Sequence, residues 1–93
     1  MNTEVRDQPG RSRYELLLDG EVIGHVDYLR QGSVWVFTHT EVSADHRSDG
    51  LASTLVRGAL DDVRRRGNRV VPRCPYVGHF IDKHPEYADL VSD

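Results

Sequence analysis

Between Arg13 and Asp19 apolar and polar positions alternate: Tyr14, Leu16 and Leu18 stand among Arg13, Glu15 and Asp19. A period of two is that of a half-buried strand. Asp19-Gly20 follows, a pair suited to a two-residue hairpin turn in which both positions need positive φ. A second strand is predicted over roughly Val22 to Arg30, with Val22, Val26 and Tyr28 on one side and Ile23, His25, Asp27 and Leu29 on the other. Gly24 lies inside it and marks a bulge or a close approach by another group. After the Gln31-Gly32 turn, Ser33 to Val42 is β-branched and aromatic on both faces, as expected of a strand covered on both sides. Three strands joined by tight turns make an antiparallel meander.

Beyond the polar segment Ser43 to Asp49 the period changes. Leu51, Ala52, Leu55, Val56, Ala59, Leu60 and Val63 recur at three- and four-residue spacing, which predicts an amphipathic helix ended by Gly67. Arg69-Val70-Val71-Pro72 reads as a short strand. A strand, a helix and a strand most simply form a right-handed crossover, placing Val70-Val71 parallel to the strand ending at Val42. Pro75 can open a second helix through Tyr76, Val77, Phe80 and Ile81 that stops before Pro85, and a last helical turn carries Tyr87 and Leu90. Met1 to Ser12 has no periodic apolar pattern and is expected to be a flexible leader, residues 1–12, before one α+β domain, residues 13–93.

At 93 residues, 38% hydrophobic and 29% charged, the chain suits one small core. A net charge of −3 gives no general attraction to nucleic acid or to anionic membranes. Arg64-Arg65-Arg66 falls in the last helical turn, where cations oppose the negative dipole end. The single Cys74 excludes an intramolecular disulfide, and neither it nor His25 and His46 has metal-ligand spacing, so no metal is expected. No apolar run nears the roughly 20 residues of a membrane span, and no secretory signal is present; a cytoplasmic location is expected. An edge strand permits a weak homodimer, and nothing requires more than a monomer.

The turn Arg47-Ser48-Asp49-Gly50-Leu51-Ala52 joins the third strand to the first helix. Its backbone N–H groups lack intrahelical partners and are backed by the positive end of the helix dipole, so it is either a phosphate cradle or a plain N-cap region. Gly50 allows close approach, Ala52 keeps the first helical turn small, and Ser48 can bind an oxygen. The lysine and second glycine of a nucleoside-triphosphate loop are missing.

Arg47-x-x-Gly50-x-Ala52, after a strand and opening a helix, resembles the Q/R-x-x-G-x-G/A motif of the GCN5-related N-acetyltransferases. The match is sharper to very small acetyltransferase-like members, through Phe37-Thr38-His39-Thr40-Glu41-Val42, Gly50-Leu51-Ala52, Pro72-x-Cys74-Pro75-Tyr76-Val77 and His84-Pro85-Glu86-Tyr87-Ala88-Asp89-Leu90. The resemblance implies that residues Arg47, Ser48, Asp49, Gly50, Leu51 and Ala52 hold the pyrophosphate of acetyl-CoA, while the strand carrying Thr40 and Val42 hydrogen-bonds the pantetheine arm. Ser48 stands where many relatives have glycine and Asp49 adds a carboxylate, differences expected to weaken that hold.

Cys74 is then either an acetyl-accepting nucleophile or a small buried hydrophobe. Direct transfer to the amine is the other route. His39 is the candidate base and Tyr76 the candidate acid for the leaving thiolate, each with a packing role as its alternative. His84, Glu86 and Tyr87 read as structural, with Lys83 or His84 a candidate partner for a CoA phosphate. The expected function is acetyl-CoA-dependent N-acetyl transfer to an amine of a small molecule or a protein. The alternative is a non-catalytic CoA-binding or protein-interaction module.

Overall fold

The computed structural model describes residues 2–92, without the side chains of residues 47–49. Five strands form one sheet in the order β1-β2-β3-β4-β5: β1 (Thr3–Gln8), β2 (Arg13–Leu18), β3 (Glu21–Gln31), β4 (Val34–Val42) and β5 (Arg69–Pro72). The first four are antiparallel neighbours, and β5 runs parallel to β4 through the crossover helix α1 (Leu51–Arg65). Helix α2 (Pro75–Lys83) and a 3-10 turn over Pro85–Leu90 complete the chain. Asp19 and Gly20 have φ of 50° and 88°, as the tight hairpin requires, and Gly67 closes α1 at 71°. No helix among the described residues is long and apolar enough to cross a membrane.

The meander is longer than expected. Instead of a loose leader, Thr3–Gln8 pairs with β2 from Thr3 opposite Leu18 to Gln8 opposite Arg13. The physical reason is long-range and polar. Asp7 accepts a hydrogen bond from the Tyr28 hydroxyl at 2.5 Å and meets Arg66 at 3.1 Å; Arg66 also meets Asp62, which accepts from the Tyr14 hydroxyl at 2.6 Å. One carboxylate in β1 is thereby clasped to the sheet and to the C-terminal end of α1. Val5 packs so closely under α1 that a Cβ on Gly58 would lie 2.6 Å from its Cγ2.

Both helices cover the same sheet face. Tyr14, Val26, Tyr28, Trp35 and Phe37 from the strands form one cluster with Leu55, Val56, Ala59, Leu60 and Val63 of α1 and Val77, Phe80 and Ile81 of α2. Trp35, wholly buried, lies between Tyr14 and Tyr28 with the Arg30 guanidinium 4.1 Å from its ring centre. β4 is therefore not covered on both sides as expected: His39 and Glu41 on its other face are exposed. Val36 on that face is nonetheless buried, between Leu29 and Val71 on the neighbouring strands. The far edge of β5 is closed by the C-terminal tail, where Val70 bridges Val91 and the Ser92 N–H donates to the Val70 carbonyl.

Two register slips decide which residues face the helices. Leu16 pairs with Gly24 and Leu17 with Val22, so Ile23 is the extra residue; it turns into the core while Val22 is exposed, the reverse of the strict alternation expected. Gly24 fulfils its expected role on both counts, since a Cβ there would sit 2.9 Å from the Glu41 carbonyl oxygen. In β4 the extra residue is Thr38, between Phe37 opposite Tyr28 and His39 opposite Asp27.

Two outcomes test this packing. Gly58→Ala should lower stability by about 1–2 kcal/mol in chemical denaturation, because overpacking against Val5 outweighs the roughly 1 kcal/mol helix-propensity gain; in a Val5→Ala background the same change should be neutral or stabilising. Burial, then the bond to Asp62 and that carboxylate's charge, raise the Tyr14 pKa above its ordinary 10.0. A raised folded pKa gives stability that is complete below pH 10 and lost above it, so wild type should lose more stability than Tyr14→Phe between about pH 9 and pH 11.

Candidate active site

β4 and β5 stay paired only from Val34 opposite Arg69 to Phe37 opposite Pro72. Past that point the chain after β5 turns away: the Arg73 N–H donates back to the Val71 carbonyl, and Pro75 opens α2. β4 continues to Val42, so a fork opens between it and the start of α2. Cys74, the N-cap of α2, stays on the β4 side because its N–H donates to the Phe37 carbonyl at 2.8 Å.

The slip at Thr38 determines what lines this fork. Phe37 faces the helices, so strict alternation would send His39 the same way. With one residue inserted, Thr40 and Val42 return to the helix side instead, opposite Val26 and Gly24. The Thr40 hydroxyl lies 3.2 Å from the Cys74 sulfur, and Cys74 is buried. His39 is carried to the open face, where its Nε2 lies 3.6 Å from Glu41 and its ring centre 6.3 Å from that of His25. Of the expected catalytic residues, Cys74 meets Thr40 and His39 stands across the sheet from both.

Helix α1 begins at the mouth of the fork. Gly50, at φ 72°, is its N-cap and supplies no side-chain cap, and the first-turn N–H groups of Leu51, Ala52 and Ser53 precede the intrahelical ladder. The side chains of Arg47, Ser48 and Asp49, expected in the cradle, lie outside the described residues. Their backbone forms a 3-10 turn over Ala44–Asp49 leading into Gly50.

From Ser53 a groove of about 520 Å³ runs along α2, lined by Pro75, Tyr76, His79, Phe80, Lys83 and His84. Tyr76 lines the groove beside Ser53; burial raises the pKa of its phenol, against a smaller lowering by the Ser53 hydroxyl, so it is protonated at neutral pH and able to donate. His84 has another task. Its Nδ1 is 2.8 Å from the Phe80 carbonyl oxygen and its ring stacks on Phe80 at 4.0 Å. Ser53 and His79 were not among the residues singled out from sequence; Ser53 directly follows Ala52 in the first turn of α1 and His79 stands one turn after Tyr76 on α2, positions legible only once the two helices are known to face each other. Among the described residues no group of three His, Cys, Asp or Glu side chains is arranged to hold a metal ion.

Residues 13–90 match the family model described as GCN5-related N-acetyl-transferase. The chain belongs to the GCN5-related N-acetyltransferases. Solved structures share its fold. A GCN5-like N-acetyltransferase candidate from Staphylococcus aureus superposes with a TM-score of 0.71 at 15% identity, over 96% of this chain and 87% of that one. The ribosomal-protein-S18-alanine N-acetyltransferase of Escherichia coli gives 0.62 at 14% identity, over 78% of this chain and 50% of that one. The ribosomal-protein-alanine N-acetyltransferase of Brucella melitensis gives 0.53 at 23% identity, over 87% and 61%. The chain thus spans half the length of the E. coli enzyme and most of the staphylococcal protein.

Cys74 is the only thiol of this acetyltransferase-family chain, so its packing can be read directly. Labelling by a thiol-specific disulfide reagent should be at least about ten-fold slower in the native protein than in denaturant. Thr40→Ala, which opens the sulfur's contact, should speed native labelling while leaving the denatured rate unchanged.

Proposed function

We propose that this chain is an acetyl-CoA-dependent N-acetyltransferase, with the fork between β4 and the start of α2 as its donor site. One observation carries the reading: β4 outruns β5 beside a helix N-terminus that has no side-chain cap. A strand edge and a set of free N–H groups at one opening suit a ligand combining an amide-bearing arm with a pyrophosphate. In this reading the N–H groups at Gly50, Leu51 and Ala52 hold the pyrophosphate, with Arg47, Ser48 and Asp49 beside them. Thr40 and Val42 flank the pantetheine arm, and the thioester reaches Thr40 and Cys74.

Two routes lead from there. In the first, the Cys74 sulfur attacks the acetyl carbonyl, the bond to the CoA sulfur breaks, and CoA leaves as a thiol; the amine then attacks the acetyl-cysteine and restores the Cys74 thiol. In the second, the amine attacks the thioester directly, its proton passes to a base, and the CoA thiolate takes a proton from an acid. Tyr76 is the protonated donor beside the donor groove. An amine arriving over the open face meets His39 and Glu41 first, which makes His39 its proton acceptor. The acceptor is an amine of a small molecule or a protein. A non-catalytic CoA-binding module is the second reading, favoured by the exposure of His39 across the sheet from Cys74.

Melting with acetyl-CoA, CoA and ATP tests the site. A ligand at a hundred-fold excess over its Kd should stabilise by about 2.7 kcal/mol, several degrees for a domain of this size. If neither CoA species raises the melting temperature above the ATP control, both readings fall. Intact-mass measurement after incubation with acetyl-CoA should show one acetyl adduct, absent in Cys74→Ala, if the first route operates. CoA release without an adduct, on addition of an amine, would select the second, and binding without turnover would select the non-catalytic module.

A further inference from the structure

The two edges of the sheet end differently. Alongside β5 lies the C-terminal tail, with Val70 bridged to Val91 and the Arg69 guanidinium donating to the Val91 carbonyl. β1 is the other edge. Its pairing with β2 runs without a slip, and the Asp19 N–H donates to the Asn2 carbonyl in the same register. Hydrogen-bonded residues alternate along an antiparallel ladder, so Glu4, Arg6 and Gln8 turn their backbone groups to β2 while Thr3, Val5 and Asp7 turn theirs outward. Those outward groups have no partner among the described residues. The strand carries no proline, lysine or bulge to block pairing. Its charges are Glu4, Arg6 and Asp7, and Asp7 is already held by Tyr28 and Arg66.

We propose that a second copy of this chain pairs with this edge, β1 to β1 and antiparallel about a twofold axis through Val5, so that two five-stranded sheets become one of ten strands. A twofold normal to the sheet keeps both helix layers on one side, so opposed residues share a face and the possible registers differ by two residues. With Val5 opposite Val5, the outward backbone groups of Thr3, Val5 and Asp7 meet those of Asp7, Val5 and Thr3 of the second copy. Glu4 then stands opposite Arg6 of the second copy, and Arg6 opposite its Glu4, in the closely spaced pairs between the hydrogen-bonded ones. In the neighbouring registers Glu4 would oppose Glu4, or Arg6 would oppose Arg6, and like charges so placed are destabilising. Glu4 and Arg6 are exposed and lie 3.2 Å apart within one chain, on the face opposite the one through which Val5 meets α1. On the helix side a groove of about 460 Å³ runs over Thr3 and Val5, with Thr54 and Gly58 in its wall, and leaves space for side chains of the second copy's α1. The fork lies at β4 and β5, the other end of the strand order, so this pairing leaves it open in both copies.

Sedimentation equilibrium of the full chain over about 10 µM to 1 mM should show a mass rising from the 10.6 kDa of one chain towards twice that value. Glu4→Arg and Arg6→Glu, each shown to be folded by its melting transition, should weaken self-association about ten-fold, because two attractive pairs become two repulsive ones. An equimolar mixture of the two variants should associate at least as tightly as wild type, since each chain then carries the charge the other lacks. Loss of the Glu4–Arg6 contact within a single chain would not be repaired by mixing. Thr3→Pro, which removes an outward N–H and no bond to β2, should also weaken association while leaving the melting of the dilute, single chain little changed. Wild type of single-chain mass throughout the range would overturn the second copy as the occupant of this edge. Self-association that survives both reversals, or that is not regained on mixing, would overturn the register and the proposal with it.

Discussion

One inserted residue governs the site. A strand's side chains alternate with a period of two, so a single extra position reverses every face beyond it. At Thr38 that reversal occurs within the strand that forms one side of the fork. It brings Thr40 against Cys74 and sends His39 and Glu41 to the uncovered face. A second slip at Ile23, in the adjoining strand, keeps an apolar side chain on the core near the same end of the sheet. Together the two slips produce a sheet with one apolar face under the helices and an imidazole and carboxylate surface on the other, where His25, Asp27, His39 and Glu41 lie on paired strands.

The sheet is held to its helix by a polar clasp as well as by apolar packing. Arg66 stands between Asp7 and Asp62, and each carboxylate also accepts a tyrosine hydroxyl. Burial alone would raise the Asp62 pKa; the Tyr14 hydroxyl, Arg65 and Arg66 outweigh it and lower the value. Burial opposes the charge of Arg66, and its surroundings of Tyr14, Asp62 and Asp7 reverse the sign. A partly buried charge is tolerable when it is paired and hydrogen-bonded, as the Asp7 and Asp62 carboxylates are. This clasp recruits a strand whose only large apolar residue is Val5.

That dependence explains where sequence reasoning stopped. The β2–β3 hairpin, the crossover helix, β5 and the Pro75 helix were legible because each rests on local periodicity, on turn residues or on proline. β1 was not, since Asp7 meets its partners 21 and 59 positions away and no local pattern records them. Gly24 signalled its slip through the missing side chain, whereas Thr38, an ordinary strand residue, gave no sign of being supernumerary. That one position carries His39, the candidate base, to the face of the sheet away from Cys74. Cys74 and Thr40 could be placed near one another because the crossover brings their strand ends together, and Ser53 and His79 awaited knowledge of how the two helices face.

The setting of Trp35 has an optical consequence. Its indole N–H is buried without a hydrogen-bond partner, and its ring is enclosed by Tyr14, Tyr28, Arg30 and Arg66. Such an indole is shielded from water, feels the charge of the two guanidinium groups and receives excitation from both phenols, so its fluorescence records the clasp between β1, the sheet and α1. Thr40 lies about 16 Å further along the same strand. Occupancy of the fork and integrity of the fold are thus spatially separated, and the chain's single tryptophan watches only the second.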